Sequence, residues 1–445
     1  MAVNKNTIFA LSTVAGRSAV AVIRLSGPEV LATLSVLTGL SVSEFKPRQM
    51  FYRLLRDQLG GMIDRTLVVY FPGSESFTGE DCGEIHCHGS LAVIKAILED
   101  LSTRKGLRPA EPGEFSRHAF DNNKMDLAQI EGLGDLINAQ TRRQLDFSLK
   151  QIGGAAAEKV SKWREELIKS AAFVEAYIDF PDEDLPDDLW KQSQDQLKIL
   201  RSEFETQRDN GRKAVKLESG LNVVLAGPPN AGKSSLLNLL AREDRAIVSD
   251  IAGTTRDSIS VSLELSGLPV TLTDTAGLRA SGDEIENLGV QRSLDEISKA
   301  DLVLFLFDLS DMVTSQSAYD DYGFFREDQV WKVFNKSDLS TDTINLEFLV
   351  SVKQGLGTDH LLSRLEEWVT QNFAIDGTDQ IVAKERHIQI MNDSMEVIDQ
   401  AMRTETPELF AENLRQLSQL LGRLIGQVDV EDLLDRIFGD FCIGK

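Results

Sequence analysis

The chain has 445 residues, of which 42% are hydrophobic and 26% charged, a composition typical of a soluble globular protein with about two to four domains. Its formal charge of -23 argues against non-specific nucleic-acid binding over the whole surface, although it leaves room for a local basic patch. The three cysteines predict a reducing compartment without a disulfide framework, and no signal pattern or membrane-length apolar run is found. We therefore expect a cytoplasmic protein with no membrane association.

Residues 1–120 have the pattern of an α/β domain. Apolar runs at residues 19–25, 66–71 and 82–88 predict strands, because each is rich in strand-forming residues and is followed by Gly, Pro or Ser. Residues 90–101 predict a helix, and the prolines and glycine at 109–113 mark a break.

Two features of this domain invite a chemical interpretation. The cluster of Cys82, His86, Cys87 and His88 contains metal-ligand types, but a strand directs Cys87 away from the two histidines. We therefore favour a structural or pocket-lining strand over a metal site. Arg24 lies within an apolar run, where it is either an edge residue or a pocket residue that holds a carboxylate.

Residues 121–216 and 378–445 are predicted to be helical. Their apolar residues recur every three to four positions, which places them on one helix face. The residues are Val160, Trp163, Leu167, Ala171, Val174 and Ile178, and then Phe410, Leu414, Leu417, Leu421, Leu424 and Val428. Residues 378–445 alone would form a thin core, so one discontinuous helical domain is favoured over two separate bundles.

Residues 217–377 alternate strand and helix patterns, as an inserted parallel α/β domain requires. Strands are predicted at residues 221–226, 269–273, 302–307, 330–334 and 348–352. The first of these runs directly into Gly227-Pro-Pro-Asn-Ala-Gly-Lys-Ser234, which fits the phosphate-binding P-loop pattern. In such a loop Lys233 neutralises the β- and γ-phosphates, and the Ser234 hydroxyl binds Mg²⁺.

Two further motifs specify the nucleotide. Asp274-Thr-Ala-Gly277 follows a strand, so Asp274 can hold Mg²⁺ through water and the Gly277 N–H can approach the γ-phosphate. Asn335-Lys-Ser-Asp338 follows the predicted strand at residues 330–334. Asp338 can accept hydrogen bonds from the N1–H and 2-amino groups of guanine. Adenine lacks that pair of donors, so the motifs predict a GTPase, with Ser351-Val-Lys353 supporting the guanine O6.

A switch segment is predicted at residues 248–257, where Thr255 would complete the Mg²⁺ shell when the γ-phosphate is present. Leu278 follows Asp274-Thr-Ala-Gly277, at the position where Ras-type enzymes carry the glutamine that orients water. Spacing alone does not choose between slow hydrolysis and a substitute group. The candidate residues are Asp283, Glu284 and Glu286, which could orient the attacking water, and Arg256 and Arg279, which could stabilise the developing charge.

The complete predicted GTP site combines the P-loop, the switch and the base-binding motifs. Its residues are Asn230, Ala231, Gly232, Lys233, Ser234, Ser235, Ser249, Asp250, Ile251, Ala252, Gly253, Thr254, Thr255, Asp274, Thr275, Ala276, Gly277, Asn335, Lys336, Asp338, Ser351, Val352 and Lys353.

The motifs of the central domain resemble those of potassium-dependent bacterial translational GTPases, a group that includes ribosome-assembly GTPases. The flanks are more specific. Four flanking segments resemble the family of tRNA-modification GTPases called MnmE or TrmE: Phe77-Thr-Gly-Glu-Asp81, Arg108-Pro-Ala-Glu-Pro-Gly-Glu-Phe-Ser116, Lys124-Met-Asp-Leu-Ala-Gln129 and Phe441-Cys-Ile-Gly-Lys445. The resemblance covers the whole chain.

The resemblance implies three domains: a folate-binding and dimerisation domain at 1–120, a helical domain at 121–216 and 378–445, and a Ras-like P-loop domain at 217–377. It places Arg24, Glu84, Lys124 and Lys445 on the folate-contacting positions of the family. Cys442 falls on the C-terminal cysteine of the family, for which the resemblance implies a catalytic role.

The resemblance also implies that a K⁺ ion lies near the phosphates, with Asn230, Ser249, Ile251 and Thr254 at the matching positions. The family has a threonine where this chain has Ser249, whose hydroxyl or backbone oxygen can still coordinate. A cation at this place stabilises developing charge as an arginine finger would. Glu286 falls on the family's water-orienting glutamate, and Lys233 completes the implied catalytic set.

The implied reaction adds a carboxymethylaminomethyl group, or aminomethyl with ammonium, to C5 of the wobble uridine of tRNA. The one-carbon unit comes from 5,10-methylene-tetrahydrofolate. The homodimer forms a heterotetramer or larger complex with a MnmG-like partner, which supplies FAD. No G-x-G-x-x-G dinucleotide motif occurs in this chain, in agreement with a flavin on the partner. The alternatives are a GTP-gated folate carrier that recruits the partner, and a ribosome-assembly GTPase.

Overall fold

The computed structural model describes residues 6–179, 188–242, 245–247, 260–274, 295–322, 329–339, 346–373 and 380–427, and near the C-terminal end residues 434, 437–439, 441 and 444. The chain forms two compact units. The first consists of Met1–Gly134, Gln151–Leu185 and Glu405–Lys445, and the second of Asp135–Lys150 and Pro186–Thr404. In the part of the chain that the structure describes, each unit contains one sheet and one pair of long, packed helices.

The described residues contain the following elements. The strands are β1 (Thr7–Leu11), β2 (Val20–Ser26), β3 (Phe51–Arg56), β4 (Met62–Phe71), β5 (Cys82–His88), β6 (Leu107–Pro109), β7 (Leu221–Ala226), β8 (Ser260–Leu265), β9 (Leu268–Asp274), β10 (Leu302–Asp308), β11 (Val330–Asn335) and β12 (Phe348–Leu349). The helices are α1 (Val30–Thr38), α2 (Leu91–Thr103), α3 (Glu114–Asp121), α4 (Leu127–Asn138), α5 (Arg142–Ile152), α6 (Ala155–Asp179), α7 (Asp188–Ser219), α8 (Lys233–Leu240), α9 (Met312–Asp321), α10 (Thr358–Phe373), α11 (Glu385–Arg403) and α12 (Pro407–Leu424).

The sheet of the first unit has the strand order β3-β4-β5-β2-β1-β6, and its neighbours are antiparallel except for β1 and β6. Because side chains alternate along a strand, Ile23, Leu25 and Ile85 are buried on the face that packs against α1 and α2. The opposite face carries Arg24 and Glu84, which lie directly across from each other in β2 and β5. Since β2 lies inside the sheet, Arg24 is not an edge residue.

The predicted strand at residues 82–88 is confirmed, and it separates the cysteine from the histidines as expected. Cys87 is buried in the core of the first unit, whereas His88 is exposed and His86 is partly exposed on the other face. The prediction did not include β1, β3 or β6.

Helices from the two ends of the chain pack in pairs. In the first unit, α6 packs against α12 through an apolar face that includes the buried Val160, Leu167, Leu414 and Leu421. In the second unit, α7 packs against α11. The predicted apolar residues from Val160 to Val174 and from Phe410 to Leu424 are buried, except that Ala171 is half-buried, as is Ile178. Val428 lies outside the described residues. The domain boundaries drawn from sequence stay a prediction. Among the helices that the structure describes, none has the length and apolar composition needed to cross a bilayer.

The sheet of the second unit has the order β12-β11-β10-β7-β9-β8, with all neighbours parallel except β8 and β9. After β7 the chain builds β8 and β9 on one side and β10 to β12 on the other. The order thus reverses beside β7, and α/β sheets bind ligands at the carboxyl ends of the strands at such a point. This is the Ras-like P-loop arrangement predicted from the motifs.

Candidate nucleotide-binding site

The loop after β7 depends on two glycines. Gly227 has φ 134°, and a Cβ atom there would lie 2.5 Å from the Leu306 carbonyl oxygen. Gly232 has φ 101°, and a Cβ atom there would lie 2.2 Å from Asn335 Nδ2. Both positions therefore require glycine, and together they turn the chain directly into α8 at Lys233. The N-terminal N–H groups of that helix are the backbone donors that a phosphate needs.

The Lys233 side chain folds over this loop. Its ammonium donates hydrogen bonds to the carbonyl oxygens of Gly227 and Pro228, each at 2.8 Å. Only 5% of the residue is exposed, although it carries a charge. A buried ammonium held at the mouth of a helix N-terminus is suited to bind phosphate oxygens.

A hydroxyl and a carboxylate meet beside Lys233. Ser234, in the first turn of α8, donates a short hydrogen bond to Oδ2 of Asp274, the last residue of β9. Asp274 is fully buried. Because hard cations such as Mg²⁺ prefer oxygen ligands, this pair fits the predicted metal.

Asn335 joins the phosphate loop to the predicted base-binding loops. Its Nδ2 donates to the Ala231 carbonyl oxygen at 2.7 Å, and its Oδ1 accepts from the Val352 N–H at 3.1 Å. The Ser351 hydroxyl donates to Asp338 Oδ1 at 2.6 Å. One oxygen of Asp338 is thereby fixed, and the carboxylate keeps acceptor capacity for a base.

Asn335 and Asp338 line a cavity of about 690 Å³, a size that suits a small-molecule site, whereas Lys233, Ser234 and Asp274 are not among the residues at its wall. The predicted residues at its wall are Asn230, Gly232, Ser235, Asn335, Lys336, Asp338, Val352 and Lys353. The structure adds Asn238, Leu239, Arg242 and Leu339, which the motifs did not include. Asn238 and Leu239 follow Ser235 along α8, so helical spacing from the P-loop was the available signal for these two, and Arg242 lies just beyond the end of the helix.

Asp308 is a further residue that the motifs missed. It ends β10 and accepts a hydrogen bond from Lys336 Nζ at 2.5 Å and from Ser310 Oγ at 2.5 Å. Burial opposes ionisation of Asp308, but these hydrogen bonds outweigh it and lower the pKa of its carboxyl group. Lys336 is thus held by an ionised carboxylate. An Asp at the carboxyl end of a buried strand was the sequence signal.

Several predicted site residues lie outside the described residues. They are Ser249, Asp250, Ile251, Ala252, Gly253, Thr254, Thr255, Thr275, Ala276, Gly277, Glu286, Cys442 and Lys445.

The predicted folate residues that are described lie in the first unit. Arg24 Nε and Nη2 donate to Glu84 Oε1 at 3.1 and 3.0 Å, and Glu84 Oε2 contacts His86 Nε2 at 3.1 Å. The Arg24 guanidinium also lies 5.7 Å from the ring centre of Phe77. Lys124 Nζ donates to the Ser74 carbonyl oxygen at 2.8 Å. Arg24 and Glu84 are thus one ion pair.

A second polar cluster of the first unit centres on His118. His118 Nδ1 lies 2.9 Å from Glu80 Oε2, and its Nε2 lies 3.8 Å from Glu114 Oε1. Burial alone would lower the pKa of His118, but the two carboxylates outweigh burial and raise it. Glu80 also accepts a hydrogen bond from Ser26 at 3.0 Å. The cluster therefore binds a proton more tightly than a free histidine does.

Two family profiles match the chain. One is described as the MnmE helical domain and matches residues 127–442. The other is described as the GTP-binding protein TrmE N-terminus and matches residues 7–124.

Full-length relatives carry the name tRNA modification GTPase MnmE. The protein from Brucella anthropi is 43% identical over 445 residues, which cover 99% of this chain and 98% of the relative. The protein from Parvibaculum lavamentivorans is 43% identical, and the match covers 99% of this chain and 100% of the relative. The protein from Paramagnetospirillum magneticum is 44% identical, and the match covers 99% of this chain and 99% of the relative. Among solved structures, the G domain of the Thermotoga maritima FeoB iron transporter is 22% identical, covering 34% of this chain and 98% of its own, with a TM-score of 0.27.

Proposed function

Because the chain belongs to the family of tRNA modification GTPases named MnmE, we propose that it is the GTP-hydrolysing subunit of a complex that modifies the wobble uridine of tRNA. The chain is a GTPase and binds GTP with Mg²⁺. The observation that carries the proposal is the match to relatives over 99% of the chain, since it includes the parts outside the nucleotide site.

Guanine recognition is assigned to Asp338, whose carboxylate accepts from the N1–H and 2-amino groups. Three contacts support this role. Ser351 orients the carboxylate, Asn335 ties the base loop to the P-loop, and Asp308 holds Lys336 at the cavity wall. The partners Ser351, Ala231 and Asp308 come from three different stretches of chain, so the segment from Asn335 to Asp338 is held from several sides.

Hydrolysis is assigned to the opposite end of the site. Ser234 and Thr255 would hold Mg²⁺ together with Asp274, and Lys233 would neutralise the phosphates. The contact between Ser234 and Asp274 supports the first of these roles. Glu286 orients the attacking water in place of the missing glutamine. GTP hydrolysis then drives a conformational change in the protein.

A K⁺ ion is proposed to stimulate hydrolysis, held by Asn230, Ser249, Ile251 and Thr254. Asn230 has φ 61° and lies at the cavity wall, and its amide oxygen is a ligand type that a cation can use. The ion supplies the positive charge that an arginine finger supplies elsewhere.

Folate binding is assigned to Arg24, Glu84, Lys124 and Lys445. A carboxylate suits the donor edge of a pterin, and cations suit the glutamate carboxylates of folate. The Arg24–Glu84 pair supports this role because it presents both charges on one face of the sheet. When bound, 5,10-methylene-tetrahydrofolate supplies the one-carbon unit, and Cys442 is the proposed catalytic residue near it.

The product is a carboxymethylaminomethyl or aminomethyl group at C5 of the wobble uridine. The chain acts in the cytoplasm as a homodimer, together with a MnmG-like FAD protein in a heterotetramer or larger complex. The proposed domains are residues 1–120 for folate and dimerisation, residues 121–216 with 378–445 for the helical domain, and residues 217–377 for GTP.

The experiment that tests this function is mass spectrometry of tRNA nucleosides from a strain that lacks the gene. We expect loss of the C5-modified wobble uridines and their return when the gene is restored. Unchanged wobble uridines together with altered ribosomal subunit profiles would instead establish a ribosome-assembly GTPase. Folate-dependent transfer that is lost in Arg24→Ala but survives Cys442→Ser would favour the carrier alternative.

A further inference from the structure

Helix α5 begins with two buried polar residues that cap it reciprocally. The Gln144 N–H donates to Thr141 Oγ1 at 3.2 Å, and the Thr141 N–H donates to Gln144 Oε1 at 3.1 Å. This is a capping box, a motif that needs no burial to work. Yet Thr141 is only 5% exposed and Gln144 only 7% exposed. Their burial indicates that they have partners beyond the helix.

The remaining polar atoms of both residues bind backbone outside α5. The Thr141 hydroxyl donates to the Gly267 carbonyl oxygen at 2.7 Å. Gln144 Nε2 donates to the carbonyl oxygens of Leu217 and Glu218 at 3.0 and 3.1 Å. One helix start is therefore joined to two separate stretches of chain within the second unit.

Both stretches lead into the nucleotide site. Residues 217 and 218 precede β7, which ends at the P-loop, and Gly267 precedes β9, which ends at Asp274. The two strands are parallel neighbours, with Leu221 opposite Val270 and Leu225 opposite Asp274. Helix α5 thus holds the starts of the two strands whose far ends carry the phosphate and metal ligands.

The contact with β9 passes through a tight turn. Ser266 and Gly267, with φ 51° and 81°, form a two-residue hairpin loop between β8 and β9. A Cβ atom on Gly267 would lie 3.1 Å from Arg143 Cβ, so the turn packs directly on α5. In sequence, this hairpin connects the predicted switch at residues 248–257 to the segment that follows Asp274. Asp274 is therefore connected to α5 through β9, the hairpin turn and one hydrogen bond.

We propose that α5 couples the nucleotide state to the rest of the chain, with Thr141 and Gln144 as positioning residues. The proposal rests on the GTP-driven conformational change proposed above. Helix α5 ends at Ile152, and from Gln151 onward the chain belongs to the first unit. The start of α5 thus contacts the hairpin, and its end continues along the chain into the first unit.

The test uses the full-length protein with Thr141→Val, which keeps the side-chain shape but removes the hydroxyl. Thr141→Ser restores the hydroxyl and checks for rescue. Thr370→Val is the matched control, because Thr370 Oγ1 contacts Ser266 Oγ of the same turn at 2.9 Å without involving α5. Three quantities are measured: K⁺-stimulated GTP turnover, wobble-uridine modification in a complemented deletion strain, and amide hydrogen exchange of α5 with GDP and with a non-hydrolysable GTP analogue.

In the wild type and in Thr370→Val, we expect hydrogen exchange in α5 to differ between the two nucleotides. In Thr141→Val this difference disappears, modification falls about tenfold, and GTP turnover stays within about twofold. Thr141→Ser recovers the wild-type behaviour. The split between turnover and modification separates a coupling role from a purely structural one, in which both would fall together.

Two results would overturn the proposal. One is a nucleotide-dependent exchange difference in α5 that persists in Thr141→Val, and the other is an equal loss of turnover and modification in that variant. Failure of the proposed function has a different signature, since modification would then be unchanged in the deletion strain itself. The exchange measurement does not depend on tRNA and tests the coupling in either case.

Discussion

Replacing Asn335 by alanine tests the arrangement of the nucleotide site most specifically. Asn335 is 3% exposed and satisfies two backbone groups, the Ala231 carbonyl and the Val352 N–H. Removing its amide leaves both without their partner, at a cost of about 1–3 kcal/mol for each fully buried group. In the free variant, water in the cavity satisfies both groups, and the bound nucleotide displaces that water. The lower end of the cost therefore appears as lost affinity, a total of about 2 kcal/mol or roughly 30-fold.

The assay is equilibrium binding of GDP and GTP by titration calorimetry. We expect both nucleotides to weaken equally in Asn335→Ala, because the residue connects the base loops and does not reach the γ-phosphate. Asn238→Ala is the control, since Asn238 lines the same cavity as an exposed residue. A loss of less than about threefold, or a loss confined to GTP, would refute this account of the pocket.

Three further predictions concern other parts of the protein. Asp338→Asn should weaken GTP binding about 100-fold, because two charge-assisted hydrogen bonds of about 1.5 kcal/mol each are lost, and should favour xanthosine triphosphate, whose C2 carbonyl accepts from the new amide. Glu286→Ala should abolish hydrolysis while GTP still binds. Wild-type turnover should be faster in K⁺ than in Na⁺, because Na⁺ is smaller and fits the same oxygen ligands poorly. His118→Gln should remove a pH dependence of the melting temperature. Because the pKa of His118 is raised in the folded protein, the histidine stabilises the fold fully below its ordinary pKa of about 6.5, and this stabilisation disappears as the pH rises through the pKa of the folded state.

Each of these predictions has a contrary result. Unchanged base preference in Asp338→Asn would remove that residue from guanine recognition. Equal turnover in K⁺ and Na⁺ would remove the K⁺ site, and near-normal turnover in Glu286→Ala would remove the residue from its role. A melting temperature of the wild type that stays flat between about pH 6 and about pH 8 would contradict the raised pKa of His118.

The parts of the fold that sequence predicted well are those with a strong, local pattern. The buried strand before the P-loop was predicted at residues 221–226, and β7 has those bounds. Long apolar runs at β10 and β11 were located to within one residue for the same reason. The P-loop glycines were equally recognisable, since their positive φ angles and close contacts leave no alternative residue.

Other features depend on contacts that are distant in sequence. β8 alternates polar and apolar residues, as a half-buried edge strand does, but the prediction did not include this short segment. β12 ends at Leu349, earlier than predicted, because Ser351 turns to bind Asp338. Asp308 became part of the site only through Lys336, which lies 28 residues away. Such partners are set by the order of strands in the sheet, which no local pattern contains.

The most direct measurement of the central claim is a reconstitution of the reaction. The purified chain, the FAD-containing partner with NADH, unmodified tRNA, ammonium and methylene-tetrahydrofolate labelled in its one-carbon unit are incubated with GTP or with a non-hydrolysable analogue. The account predicts label at C5 of the wobble uridine with GTP and at least tenfold less with the analogue, an effect of about 1.4 kcal/mol or more. Label that is absent with GTP, or equal with both nucleotides, would contradict it.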